Sequence, residues 1–172
     1  MIGRSNVGKS SLVNLLTERK DLAKVSVTPG KTKLINFFVV NDRWTLVDLP
    51  GYGYAKVAQE QRMQFTQAVA DYLERRENLI RVFVLIDSRI PPQPIDLDFV
   101  QWLRERTVPF SFVFTKADKI SAGAVEKARL AFLEAAGLAG EAAPAAVPCS
   151  ARTKHGRREL LQAIEQALPD GR

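Results

Sequence analysis

The sequence predicts an α/β fold of three layers, a mostly parallel sheet covered by helices on both faces. Short runs rich in β-branched and aromatic residues, at 32–40, 44–48, 80–86, 110–115 and 145–149, are bounded by Gly, Pro, Asn or Asp and read as strands. Segments with helical spacing lie between and after them. Leu12, Leu15 and Leu16 share a face in a helix over 8–20; Phe65, Val69, Tyr72 and Leu73 do so over 60–76; Leu160, Leu161, Ile164 and Leu168 do so near the end. Strands alternating with helices imply parallel strands with both faces buried.

Taken in order, the first strand is the anomaly. Only Met1 and Ile2 precede Gly3, whereas a buried parallel strand needs about 5–6 apolar residues. The expectation is one domain over residues 1–172, truncated at its N-terminus, with the first strand largely missing. Asn41-Asp42-Arg43 is a tight turn between two consecutive strands, so one antiparallel edge hairpin is expected in the sheet. The Ala-rich stretch at 135–146 reads as a frayed helix end followed by a loop.

Composition excludes several classes. The chain is 46% hydrophobic and 26% charged, which suits a globular core and not a disordered chain. Its longest apolar runs, 34–40 and 82–86, are too short to cross a bilayer, and no secretory signal is visible. One cysteine, Cys149, leaves no internal disulfide framework and favours a reducing, cytoplasmic setting. The lone His155 has no evident orienting partner that would make Cys149 a nucleophile. The net charge of +6 is concentrated early: residues 1–34 hold seven Lys/Arg against two Asp/Glu. Part of that excess would hold a polyanionic ligand; what remains could meet nucleic acid, but a solvated basic face is the commoner case.

The chemistry is carried by four motifs. Gly3-Arg4-Ser5-Asn6-Val7-Gly8-Lys9-Ser10 matches G-x-x-x-x-G-K-[ST] in full. Its glycines let backbone N–H groups wrap phosphates at a helix N-terminus, Lys9 adds a point charge, and the Ser10 hydroxyl can ligate magnesium. A chance turn-to-helix junction would look similar in isolation. Asp48-Leu49-Pro50-Gly51 follows a strand, so Asp48 can hold magnesium through water while the Gly51 amide approaches a γ-phosphate. In Thr115-Lys116-Ala117-Asp118 the carboxylate can accept from guanine N1–H and N2–H₂, a pattern adenine lacks, and Lys116 can lie along the base. A simple helix-capping role for Asp118 is the plainer alternative. Cys149-Ser150-Ala151 resembles the short loop whose backbone contacts the guanine oxygen. In this order the motifs specify a GTPase with the P-loop GTPase fold.

Two further strings narrow the family: Thr28-Pro29-Gly30-Lys31-Thr32, and the run Asp48-Leu-Pro-Gly-Tyr-Gly-Tyr-Ala-Lys56. With Ile-Asn-Phe-Phe, Leu-Ile-Asp-Ser-Arg and Thr-Lys-Ala-Asp-Lys, they make the chain resemble the EngB family of bacterial P-loop GTPases. The resemblance implies that Ser10 and Thr32 ligate magnesium. It also assigns residues 3–10, Gly30, Lys31, Thr32, Lys33 and Leu34, 48–51, 115–118 and 149–151 to the nucleotide. It further implies a role in large ribosomal subunit assembly and in normal cell division and septation.

Ras-like GTPases place a Gln directly after D-x-x-G to orient the attacking water. Tyr52 stands there instead, too bulky and too long for that task, so intrinsic hydrolysis is expected to be slow. Lys9, Thr32, Gly51 and Asn6 are the candidate catalytic residues; the Asn6 amide oxygen could hold a potassium ion beside the phosphates, or simply stabilise the turn. Lys24, Lys31 and Lys33, and the run Arg152, Lys154, Arg157 and Arg158, are candidate ribosomal RNA contacts. The expected partners are GTP and GDP and the large ribosomal subunit, with no membrane and a monomeric chain. The alternatives are a GTP-controlled protein-interaction module at the division site and, more remotely, a small-molecule P-loop kinase.

Overall fold

The computed structural model describes residues 1–18, 35–53, 59–140 and 143–169. The central ladder is four strands in the order β1 (Ile2–Gly3), β4 (Val82–Asp87), β5 (Phe110–Thr115) and β6 (Ala146–Pro148), all parallel. β2 (Asn36–Val40) and β3 (Trp44–Asp48) form a separate antiparallel pair. The expected hairpin is thus present but has its own ladder. Backbone bonds at Met1 link it to the main sheet, from its amine to Val47 O at 2.6 Å and from Leu49 N to its carbonyl at 3.0 Å. Asn41 and Asp42 both take φ of 52°, the left-handed conformation these short polar residues tolerate. The start of the strand expected over 32–40 lies outside the described residues.

Strand period explains the layers. In β4 every residue is buried; Val82, Val84 and Ile86 face one way, Phe83 and Leu85 the other. The first set packs with Phe112 and Phe114 of β5 against α2 (Gln59–Arg75), α3 (Pro94–Glu105) and α4 (Ala122–Ala135). The second packs with Val113 against α1 (Lys9–Thr17) and α5 (Arg157–Ala167), through Leu12, Val13, Leu16, Leu160 and Ile164. The result is the mostly parallel three-layer α/β fold the alternation predicts.

β1 takes part despite its two residues. Ile2 pairs with Val84 and Gly3 with Leu85, and a Cβ on Gly3 would lie 2.8 Å from Leu85 O. Glycine is therefore required there for close strand approach as well as for the loop that follows. α3 and α4 are helices the apolar spacing had not set out. In α4 the buried Val125, Phe132 and Leu133 sit among Ala and Gly, which blurs the amphipathic contrast. Its start is nonetheless capped, with Ser121 Oγ accepting from Ala124 N at 3.2 Å.

Candidate functional site

The site lies at the carboxyl ends of the parallel strands, where loops leave an open α/β sheet. Residues 3–10 run from β1 into α1. Gly8 has φ of 102° and starts the helix, and Asn6 has φ of 64°, so the loop folds back sharply; Val7 N donates to Arg4 O at 3.2 Å. Lys9 is buried, and its Nζ donates to the buried Asp48 carboxylate at the end of β3. The residues expected on the outer phosphates and on magnesium are thus already neighbours.

Gly51 follows Asp48 closely against the P-loop. A Cβ there would lie 2.8 Å from Gly3 O, and Tyr52 N donates to the same carbonyl at 3.2 Å. Leu49 is buried in the core beneath this loop, just ahead of Pro50. Tyr52 turns its ring onto Phe99, centroids 4.8 Å apart, and its hydroxyl donates to Asp96 Oδ1 at 2.9 Å. Its phenol is committed to α3, which agrees with its not standing in for the missing Gln.

The residues expected around the base line a cleft of about 240 Å³, together with Gly8 and Arg152; Lys116, Asp118, Cys149 and Ala151 all face it. Three segments far apart in the chain meet there. Thr115 Oγ1 donates to Val7 O at 2.6 Å, and Lys116 Nζ donates to Asn6 O at 2.6 Å, so β5 is tied directly to the P-loop. Ala117 N donates to Cys149 O at 3.1 Å. Asp118 Oδ1 accepts from Ser150 Oγ at 2.7 Å, while its buried Oδ2 has no hydrogen-bond partner among the described residues; Lys119 Nζ is 3.9 Å away. The Ser150 bond leads the effects that hold the Asp118 carboxyl below its ordinary value, keeping it an acceptor.

Two carboxylates belong to this region that motif reading missed. Asp87, at the end of β4, bonds Arg89 Nη2 and Lys116 Nζ, each at 2.8 Å. Burial raises its carboxyl, but bonds from Arg89 and Lys116 outweigh that and bring it down to about 2. A carboxylate ending an all-apolar strand was the available signal, the same one that singled out Asp48. Asp96, in the first turn of α3, had none: it meets Arg4 Nε at 3.0 Å, 92 positions away in the sequence. Cys149 is buried, and burial pushes its thiol up to about 12, far from a nucleophile's range. Of the candidate RNA contacts, Arg152, Lys154 and Arg158 are exposed. Arg157 instead bonds Leu15 O at 3.0 Å and pairs with Glu18 at 2.8 Å. Gly30, Lys31, Thr32, Lys33 and Leu34, with Lys24, Thr28 and Lys56, lie outside the described residues.

A phosphate-loop motif leaving β1, a carboxylate loop leaving β5 on the same parallel sheet, and a D-x-x-G loop leaving the neighbouring β2–β3 pair define the class: a P-loop GTPase. Residues 1–116 match the family model described as 50S ribosome-binding GTPase. The chain is 50% identical over 164 residues to the probable GTP-binding protein EngB of Bacteroides thetaiotaomicron, covering 95% of this chain and 81% of that one. It is 51% identical over 170 residues to the EngB of Flavobacterium psychrophilum, covering 98% and 83%. A crystal structure of a probable GTP-binding protein EngB superposes with a TM-score of 0.80 at 26% identity, over 96% and 95% of the two chains. The chain belongs to the EngB family of GTP-binding proteins and is a GTP hydrolase. The kinase alternative falls with that assignment.

Proposed function

We propose that this chain is a GTP-controlled factor in assembly of the large ribosomal subunit, hydrolysing GTP slowly and needed for normal cell division and septation. The observation that carries the nucleotide part is the buried Asp118 Oδ2 on the cleft, which has no hydrogen-bond partner among the described residues. An ionised acceptor without a donor is costly in a folded protein unless a ligand supplies one, and guanine supplies two. The family's description as 50S ribosome-binding supports the ribosomal part. The exposed Arg152, Lys154 and Arg158 add a positive surface suited to RNA. We assign residues 1–172 to a single GTPase domain, working as a cytoplasmic monomer. No helix among the described residues is long and apolar enough to cross a membrane.

In this reading the P-loop amides and Lys9 hold the β- and γ-phosphates, and the Gly51 amide marks the γ-phosphate. Asp118 and Lys116 orient the base, with Cys149–Ala151 closing over it. The donors available suit magnesium, which takes few protein oxygens and keeps phosphate and water ligands. Ser10, Thr32 and, through water, Asp48 would hold it. Magnesium would neutralise charge on the β- and γ-phosphates. When the nucleotide binds, Lys9 exchanges its bond with Asp48 for phosphate oxygens, which frees that carboxylate for the metal side.

The experiment is binding to large-subunit precursors across a salt series with GTP, GDP and a non-hydrolysable analogue. Binding is expected to weaken with salt, and Lys154→Ala with Arg158→Ala should lower the slope by roughly one unit per lost phosphate contact. Binding indifferent to salt, or absent with every nucleotide, would sink the RNA reading and favour the division-site module.

Asn6 is exposed within the phosphate loop. With no Gln after Gly51, a potassium ion held by its amide oxygen would offset charge near the β–γ bridge, where an arginine finger acts in other GTPases. Hydrolysis should then run severalfold faster in potassium than in sodium at matched ionic strength. Asn6→Gly keeps the positive φ and removes the ligand, so it should erase that difference and leave GDP binding intact. Equal rates in the two salts would leave Asn6 a turn residue only.

A further inference from the structure

We propose that Asp96 and Tyr52 are positioning residues for hydrolysis, holding the Gly51 amide in place through a buried carboxylate that Tyr52 shares with Arg4. The inference rests on the reading of Asp48–Gly51 as the loop that contacts the γ-phosphate.

The Asp96 side chain is only 3% exposed, in the first turn of α3. Its two oxygens are divided between two donors from different loops, Arg4 Nε at 3.0 Å and the Tyr52 hydroxyl at 2.9 Å. The same loops are joined through their backbones as a short parallel bridge: Tyr52 N donates to Gly3 O at 3.2 Å and Ser5 N donates to Tyr52 O at 3.3 Å. Gly51 sits between this bridge and the buried Leu49, with room for no Cβ against Gly3 O.

The position of Gly51 is therefore set from both sides. On one side Leu49 N bonds Met1 O; on the other, Tyr52 is fastened twice, by its backbone to the P-loop and by its hydroxyl to α3. A carboxylate suits this task because each oxygen can serve one donor, and burial makes a lost partner costly. Burial raises the carboxyl of Asp96, and the bonds from Tyr52 and Arg4 oppose that rise. Arg4 thereby acquires a role its place in the P-loop did not suggest. Its guanidinium is turned to α3, making helix, P-loop and D-x-x-G loop one unit. Phosphoryl transfer depends mainly on positioning, and a displacement of about 1 Å can cost roughly 100-fold in rate.

Three variants of the chain test this: Tyr52→Phe, Asp96→Asn and Gly51→Ala. Each is measured for affinity for GDP and for a non-hydrolysable GTP analogue, for single-turnover hydrolysis at saturating GTP, and for thermal melting. Tyr52→Phe keeps the ring on Phe99 and removes only the hydroxyl. It should leave GDP affinity within about twofold and lower the saturated rate by roughly tenfold. Asp96→Asn presents an amide donor to one of the two donors and should lower the rate further, with weaker analogue binding. A merely structural role would lower melting temperature without changing the saturated rate of the folded protein. That result in Tyr52→Phe, or an equal loss of GDP and analogue affinity, overturns the proposal even if Asp96→Asn does not fold. Gly51→Ala separates the two readings. If it weakens analogue binding far more than GDP binding while Tyr52→Phe keeps its rate, only the positioning role fails. If it leaves the ratio of analogue to GDP affinity as in the parent chain, the γ-phosphate reading fails and the positioning role with it.

Discussion

Asp118→Asn is expected to weaken GTP binding by roughly 10⁴-fold and to shift preference toward xanthosine triphosphate. Sites built to hydrogen-bond a ligand lose about that much when the match is broken, because buried polar groups are left unpaired. The carboxylate offers two acceptors. One already takes a bond from Ser150 Oγ at 2.7 Å, and the other is buried without a partner among the described residues. Asparagine keeps a single acceptor and turns an amide donor toward the guanine N2–H₂, donor against donor. Xanthine carries an oxygen at that carbon, which the amide can serve. Titrating fluorescent GTP and xanthosine triphosphate analogues against both proteins reads the effect, and unchanged affinities would remove Asp118 from the base site. A capping role alone would lower stability with no change of base preference, so melting curves taken alongside distinguish the two.

Gly156→Ala should cost the most stability of any alanine substitution at a described glycine. Gly156 is buried at the start of α5 with φ of 74°, and a Cβ would lie 1.9 Å from Pro148 O and 2.9 Å from Cys149 Sγ. The nearer neighbour is backbone, which cannot swing aside as a side-chain end can. Pro148 ends β6, and Cys149 N donates to Phe114 O at 2.7 Å, so the strand can yield only by breaking its pairing with β5. Backbone strain and overpacking together amount to on the order of 3 kcal/mol or more. For a chain of this size that is a fall in Tm of roughly 6–12 °C. The same methyl pushes on the loop over Cys149–Ala151, so guanine nucleotide affinity should fall with it. A melting temperature within about 2 °C of the parent would mean that the turn accepts a side chain and that its geometry is not what holds this loop.

The phosphate loop and the carboxylates Asp48 and Asp118 were legible because their chemistry is local. A nest of backbone N–H groups needs glycines at fixed offsets. A carboxylate at the end of a strand is placed by a few residues of apolar sequence before it. The hairpin turn was legible for the same reason, since Asn41 and Asp42 tolerate positive φ. Helix α4 was harder, because alanine packs without announcing which face is inward. The first strand was expected to be largely missing, yet Ile2 and Gly3 pair with β4. Pairing there needs only the close approach that Gly3 allows.

By itself the sequence determined the fold class and the order of the nucleotide motifs, which follow from short-range spacing and periodicity, while the family was legible as a resemblance in the motif strings. Only the tertiary structure decided which partners each motif meets. Lys116 is fastened to Asn6 and Asp87, Ser150 to Asp118, and Arg4 with Tyr52 to Asp96. The same holds for Arg157, which reads as one more cation in a basic run but pairs with Glu18. The physical reason is that a buried charge or hydroxyl must find a partner wherever packing brings one within about 3 Å. No periodicity along the chain records that meeting.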